Sequence, residues 1–173
     1  MSGVIFKIIA IGDIAVGKTS IVTRYVDDKF DPKYQATIGV AHALKRLVIN
    51  KQMITLSIWD TGGQEVFDYI RTHYFAGANG ALIVYDVTRN ASFNHLDRWF
   101  NDVYKNCGDI PVILVGNKID LTDELVISAE QGEQYAHQKD VTFYETSAKT
   151  GENIVDVMEE LAKTIFSEKN TIV

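Results

Sequence analysis

Eight residues, Gly12-Asp-Ile-Ala-Val-Gly17-Lys18-Thr19, restrict the fold of this chain more than any other stretch. They follow an apolar run, Val4 to Ile11, and precede a helical pattern from Ser20 to Val26. A strand, a glycine loop and a helix in that order let successive backbone N–H groups curl into one concavity that suits phosphate oxygens. The helix start adds unpaired N–H groups and the positive end of its dipole. Lys18 is spaced to reach the β- and γ-phosphates and the Thr19 hydroxyl to ligate Mg²⁺. Gly12, Asp13, Ile14, Ala15, Val16, Gly17 and Ser20 complete the expected lining. A plain glycine turn between strand and helix is the bland reading, and the partners further along the chain weigh against it.

The rest of the chain repeats the same alternation. Val40 to Ile49 and Met53 to Trp59 flank Asn50-Lys51-Gln52 and read as a hairpin. Ala81 to Val87 is a continuous apolar run, the pattern of a strand buried on both faces. Ser92 to Asn106 carries Phe93, Leu96, Phe100, Val103 and Tyr104 on one helical face, and Pro111 to Gly116 reads as another buried strand. Ser128 and Gln131 have capping-box spacing, Val141 to Tyr144 is a short strand, and the last helix runs through Ile154, Met158, Leu161 and Ile165. The expectation is an α/β fold: one domain over residues 1–173, with a mostly parallel six-stranded sheet, one antiparallel edge strand and helices on both faces. Ligands of such sheets bind beyond the carboxyl ends of the strands, here just after Ile11, Trp59, Tyr85 and Val115. Three of those four points carry motifs.

Composition excludes several classes of function. With 17 Lys+Arg against 23 Asp+Glu, the net charge of -6 argues against bulk nucleic-acid binding. Cys107 is the only cysteine, and the four histidines show no ligand spacing, so neither a disulfide nor a Cys/His metal clip is expected. Glycine at position 3 instead of 2, and no cysteine in 170–173, predict no acyl or prenyl anchor and a cytoplasmic location, unless a tail has been removed.

After Val115 comes Asn117-Lys118-Ile119-Asp120. The Asp120 carboxylate can only accept hydrogen bonds, and guanine offers N1–H and its 2-amino group side by side. Adenine would leave the carboxylate unpaired, which is how such a site discriminates. Asn117 and Lys118 would buttress the loop. Alone, this stretch reads equally as a polar turn. Ser147-Ala148-Lys149 follows the next strand, where small residues let backbone N–H groups approach the guanine O6, and the two loops together form both ends of a guanine pocket. After Trp59, Asp60 is the acidic member of the Mg²⁺ site, acting through water. Gly63 can present its N–H to a γ-phosphate, and Gln64 can orient an attacking water. Thr37 is a second hydroxyl ligand for Mg²⁺ or, as readily, a β-branched residue opening a strand. Phe30 and Tyr34 are available to flank the base and cover the phosphates.

These motifs resemble those of the Ras superfamily of small GTPases, over Phe6 to about Phe166. Trp59-Asp-Thr, Tyr74-Phe-Ala-Gly-Ala78 and Tyr85-Asp-Val-Thr-Arg-Asn-Ala-Ser-Phe93 look most like the Rab branch. The resemblance implies a GTP hydrolase with Gln64 and Lys18 in catalytic roles. It also implies switch segments at Asp27 to Val40 and Asp60 to about Ala76, read by an exchange factor, a GTPase-activating protein and effectors. The rival readings are a metabolic P-loop kinase or ATPase, which Asp120 opposes, and a pseudo-GTPase that holds nucleotide without turnover. The chain departs from the Rab pattern at Ala41 and His42; His42 would join Trp59 and Tyr74 in the aromatic triad that effectors read. Gly62 stands where alanine is usual and predicts a looser second switch. Ile14 stands where small residues are usual, and its stiff β-branched side chain predicts slow turnover and a weak response to an inserted arginine finger.

Overall fold

The computed structural model describes residues 3–33, 37, 39–62 and 68–171, with the backbone alone at 68–71. Six strands form one sheet: β1 (Val4–Ile11), β2 (Val40–Ile49), β3 (Gln52–Thr61), β4 (Gly80–Asp86), β5 (Val112–Asn117) and β6 (Thr142–Thr146). Their order is β2-β3-β1-β4-β5-β6, and only the β2–β3 pair is antiparallel. The helices are α1 (Lys18–Asp27), α2 (Asp68–Phe75), α3 (Asn90–Asn94), α4 (Leu96–Cys107), α5 (Ala129–Lys139) and α6 (Ile154–Thr171). This is the expected α/β architecture, with β2 as the antiparallel edge.

The apolar runs explain the layering. Every residue of β4 and of β5 is buried, because helices cover both faces of the sheet there. On one side Ile21 and Val22 of α1 pack with Val157, Met158, Leu161 and Ile165 of α6. On the other, Leu96, Trp99, Phe100 and Val103 of α4 pack against Ile9, Ile83 and Leu114. β2 and β3 alternate instead: Leu44, Val48 and Met53 are exposed while Ile54, Leu56 and Ile58 are buried. Among the described residues no helix is long and apolar enough to cross a membrane.

Three boundaries differ from the sequence reading, each for a local reason. The hairpin turn is Asn50-Lys51 alone, since Gln52 already pairs with Ile49 and both turn residues have positive φ, 49° and 66°. That is the two-residue geometry that matches strand twist. β3 continues through Asp60 and Thr61, which pair with Ala41 and Val40, so the break falls at Gly62. The expected single helix from Ser92 is two, α3 and α4, meeting at His95. The capping box at Ser128 forms as read: the Ser128 N–H donates to Gln131 Oε1 and the Gln131 N–H to Ser128 Oγ.

Candidate functional site

Five parallel strands end along one edge of the sheet, and the loops that leave them carry nearly all the polar groups singled out above. The loop after β1 holds Ala15 and Gly17 at positive φ, 63° and 100°. Lys18 at the first turn of α1 is only 6% exposed. Its ammonium donates to the carbonyls of Gly12 (2.8 Å) and Asp13 (2.7 Å), folding the side chain back across the loop. Val16 is fully buried, and Ser20 follows on α1.

The outer rim of this loop is held by residues the sequence reading did not use. The Asp13 carboxylate accepts from Trp99 Nε1 and pairs with His95 Nδ1, each at 2.8 Å. Its side chain is therefore committed to the α3–α4 junction. Arg89 Nη2 donates to the Ile14 carbonyl at 2.6 Å. The Ile14 side chain itself is 39% exposed. Sequence patterning marked the end of β4 as a ligand-facing point but found no motif there. The structure fills it with Asp86, which holds the Lys118 ammonium at 2.6 Å, and with Arg89.

Three oxygen-bearing side chains converge beside Lys18. Thr19 Oγ1 lies 2.5 Å from Thr37 Oγ1 and donates to Asp60 Oδ2, which Thr37 also reaches at 3.5 Å. The other oxygen of Asp60 is buried with no hydrogen-bond partner. Burial raises the pKa of Asp60, against the opposing pull of the Thr19 hydroxyl and Lys18. A buried carboxylate with a spare oxygen and two neighbouring hydroxyls fits a hard cation that prefers oxygen and keeps several waters, as Mg²⁺ does. Among the described residues no cluster of three or more His, Cys, Asp or Glu could hold a metal ion.

The base end is organised by Asn117, which is 1% exposed at the end of β5. Its amide donates to the Val16 carbonyl at 2.9 Å and accepts from Thr146 Oγ1 at 3.0 Å and the Ala148 N–H at 3.3 Å. One side chain thus ties the phosphate loop to both base loops. Asp120 Oδ1 accepts from Ser147 Oγ at 2.6 Å, and Lys149 Nζ lies 3.8 Å from Oδ2. Arg24 of α1 reaches across to donate to the carbonyls of Ala148 (2.9 Å) and Lys149 (2.7 Å), pinning the second base loop. No local pattern marks Arg24, because a lone arginine on a helix reads as surface charge.

The two segments nearest the oxygen cluster touch each other. The Gly62 N–H donates to the Gly39 carbonyl at 2.8 Å. A Cβ on Gly62 would stand 2.7 Å from the Thr37 carbonyl oxygen. Glycine at 62 therefore permits a close approach of the Thr37 and Gly39 backbones. Phe30 packs half-buried against the core under α1. His42, Trp59 and Tyr74 do form a contiguous aromatic surface, with ring centroids 4.9 and 5.8 Å apart, and the Ser57 hydroxyl bridges His42 and Trp59. Tyr34, Gly63 and Gln64 lie outside the described residues.

Lys18 has a measurable consequence. Burial, opposed by Asp60 and Asp13, lowers its pKa from 10.5 to about 8. Between those values the unfolded chain binds a proton that the folded, ligand-free chain lacks, so this group's contribution to stability rises with pH across that window. A bound phosphate favours the ammonium and draws the proton back. Affinity for a phosphate ligand should therefore be flat below about pH 8 and fall by up to roughly tenfold per unit above it. Titration calorimetry at pH 9 in buffers of different ionisation enthalpy will show proton uptake; uptake near zero would mean the free site keeps its charge.

A family model described as the Ras family matches residues 7–167, from the middle of β1 to the last turns of α6.

Proposed function

This chain belongs to the Ras family of small GTPases, and we propose that it acts as a Rab-like switch that binds GTP and GDP with Mg²⁺ and hydrolyses GTP slowly. The observation that carries the nucleotide reading is the Asn117 hub, which ties Val16 of the phosphate loop to Thr146 and Ala148 of the second base loop, beside the Asp120–Ser147 pair. On this reading residues 1–173 form one GTPase domain. Thr19, Thr37 and Asp60 would hold Mg²⁺, whose chemistry when bound is to neutralise phosphate charge. Lys18 keeps its proton beside the β- and γ-phosphates, and the loop N–H groups face charge as it develops on them. Gln64 and Gly63 are assigned to the attacking water and the γ-phosphate, and Phe30 and Tyr34 to the flanks of the base. Asp120, Ser147, Ala148 and Lys149 read the guanine edge, with Lys118 anchored on Asp86. The surface of His42, Trp59 and Tyr74 offers effectors an aromatic patch in the place of the Rab triad, although His42 departs from the Rab pattern; an exchange factor and an activating protein complete the cycle. A net charge of -6 weighs against bulk nucleic-acid binding.

The direct test is the nucleotide that copurifies and its fate. GDP or GTP in the purified protein, with GTP converted to GDP over time, supports the reading. Tight ATP binding would sink it.

Ile14 is expected to set the rate. Its side chain is 39% exposed, and by the family resemblance a stiff branch at this position would crowd the space assigned to the water-orienting glutamine. A displacement of about 1 Å can cost on the order of a hundredfold. Single-turnover hydrolysis by Ile14→Gly should be at least roughly tenfold faster than by the natural chain at matched GTP affinity. A glycine variant no faster, with or without an activating protein, leaves Ile14 as packing only.

A further inference from the structure

Arg89 stands between β4 and α3, and its side chain turns back towards the phosphate loop. Nη2 donates to the Ile14 carbonyl at 2.6 Å, while Nε is buried without a hydrogen-bond partner. That buried Nε carries a desolvation cost, so the side chain is not placed there for its own stability. The neighbouring residue, Asp13, is gripped by His95 and Trp99, so two successive loop residues are tied to one stretch of chain, from Arg89 before α3 to Trp99 in α4. Between them and Lys18 lies Ala15, a residue with a side chain held at φ 63°. Such a conformation costs about 1–2 kcal/mol and persists where its surroundings over-determine it.

The peptide joining Ile14 to Ala15 is trans, like every described peptide bond. In a planar trans peptide the C=O and the N–H point in opposite directions. Holding the Ile14 carbonyl towards α3 therefore aims the Ala15 N–H away from α3. We infer that Arg89 is a positioning residue for phosphate recognition: it fixes the Ile14–Ala15 peptide so that the Ala15 N–H is presented to the nucleotide's phosphates. This inference rests on the guanine-nucleotide reading above. It extends that reading to a residue that is distant in sequence and touches the loop, not the ligand.

The test compares the natural chain with Arg89→Met, which keeps the stem and removes every donor, and Arg89→Lys, which keeps one. Each is loaded with GDP or with a non-hydrolysable GTP analogue. Nucleotide dissociation, the ³¹P spectrum of the bound nucleotide, the Ala15 amide shift and thermal unfolding are measured. A charge-assisted bond to a carbonyl predicts roughly ten- to hundredfold faster release from Arg89→Met. The Ala15 amide and at least one ³¹P resonance should move, and Arg89→Lys should recover most of the loss. Release within threefold of the natural chain overturns the inference. So does faster release with unmoved ³¹P and Ala15 signals, because that pattern marks general loosening of α3. A natural chain that binds no guanine nucleotide overturns the proposed function, and this inference with it.

Discussion

Replacing Asp120 by asparagine will lower affinity for GTP by roughly a thousandfold or more and raise affinity for XTP, while leaving the fold intact. Asp120 Oδ1 accepts from the Ser147 hydroxyl at 2.6 Å, and an asparagine carbonyl oxygen can accept the same bond. The change falls on the other atom. Where Oδ2 stood, an amide NH₂ would face the guanine donors, donor against donor, at a carboxyl group whose side chain is 13% exposed. A buried donor left unpaired costs about 1–3 kcal/mol, and two lost bonds with two unpaired donors account for the size of the loss. Xanthine carries an acceptor at C2 and recovers part of it. Equilibrium titration of both proteins with GTP, XTP and ATP checks this. An asparagine variant that still prefers GTP would place the guanine edge elsewhere in the site.

The parts of the site legible in the sequence are those whose chemistry is local. The glycine loop, the Asn117–Asp120 stretch and Ser147–Lys149 each follow an apolar strand, so pattern and residue type locate them together. Thr37 was evenly balanced between metal ligand and strand residue, because its neighbour in space, Thr19, is far away in the chain. The contact of Thr19 and Thr37 hydroxyls at 2.5 Å is a fact of tertiary structure only. Arg24, Arg89, His95 and Trp99 share that limitation more severely. Each holds a loop by donating to a backbone carbonyl or to Asp13, and a carbonyl acceptor leaves no trace in residue type. Gly62 has a spatial feature that stays hidden for a related reason. Its value lies in absent volume next to the Thr37 carbonyl, and sequence alone shows the flexibility of glycine but not its neighbours. For the fold, apolar periodicity located all six strands and the long helices. It could not see that His95 interrupts Ser92 to Asn106, since that run stays amphipathic on both sides of the break.

The second large effect is expected at Gly17, where the phosphate loop and the base loops meet. Its φ of 100° is one that side-chain-bearing residues rarely adopt. A Cβ there would stand 2.2 Å from Asn117 Nδ2, well inside contact distance. Asn117 cannot swing away cheaply. It is 1% exposed, and moving its amide would break the bonds to Val16, Thr146 and Ala148 together. Gly17→Ala therefore combines backbone strain of about 1–3 kcal/mol with the loss of buried hydrogen bonds worth about 1 kcal/mol each. Stability should fall by about 3 kcal/mol or more, and nucleotide affinity by more than a hundredfold, because both ends of the pocket lose their common anchor. A double-mutant cycle separates the causes. In an Asn117→Ala background the steric clash is gone, so adding Gly17→Ala should cost only the strain, about 1–3 kcal/mol. Urea unfolding of the four proteins measures the coupling. Strictly additive costs would show that Asn117 is not what Gly17 makes room for, and that the loop and the base pocket are anchored independently.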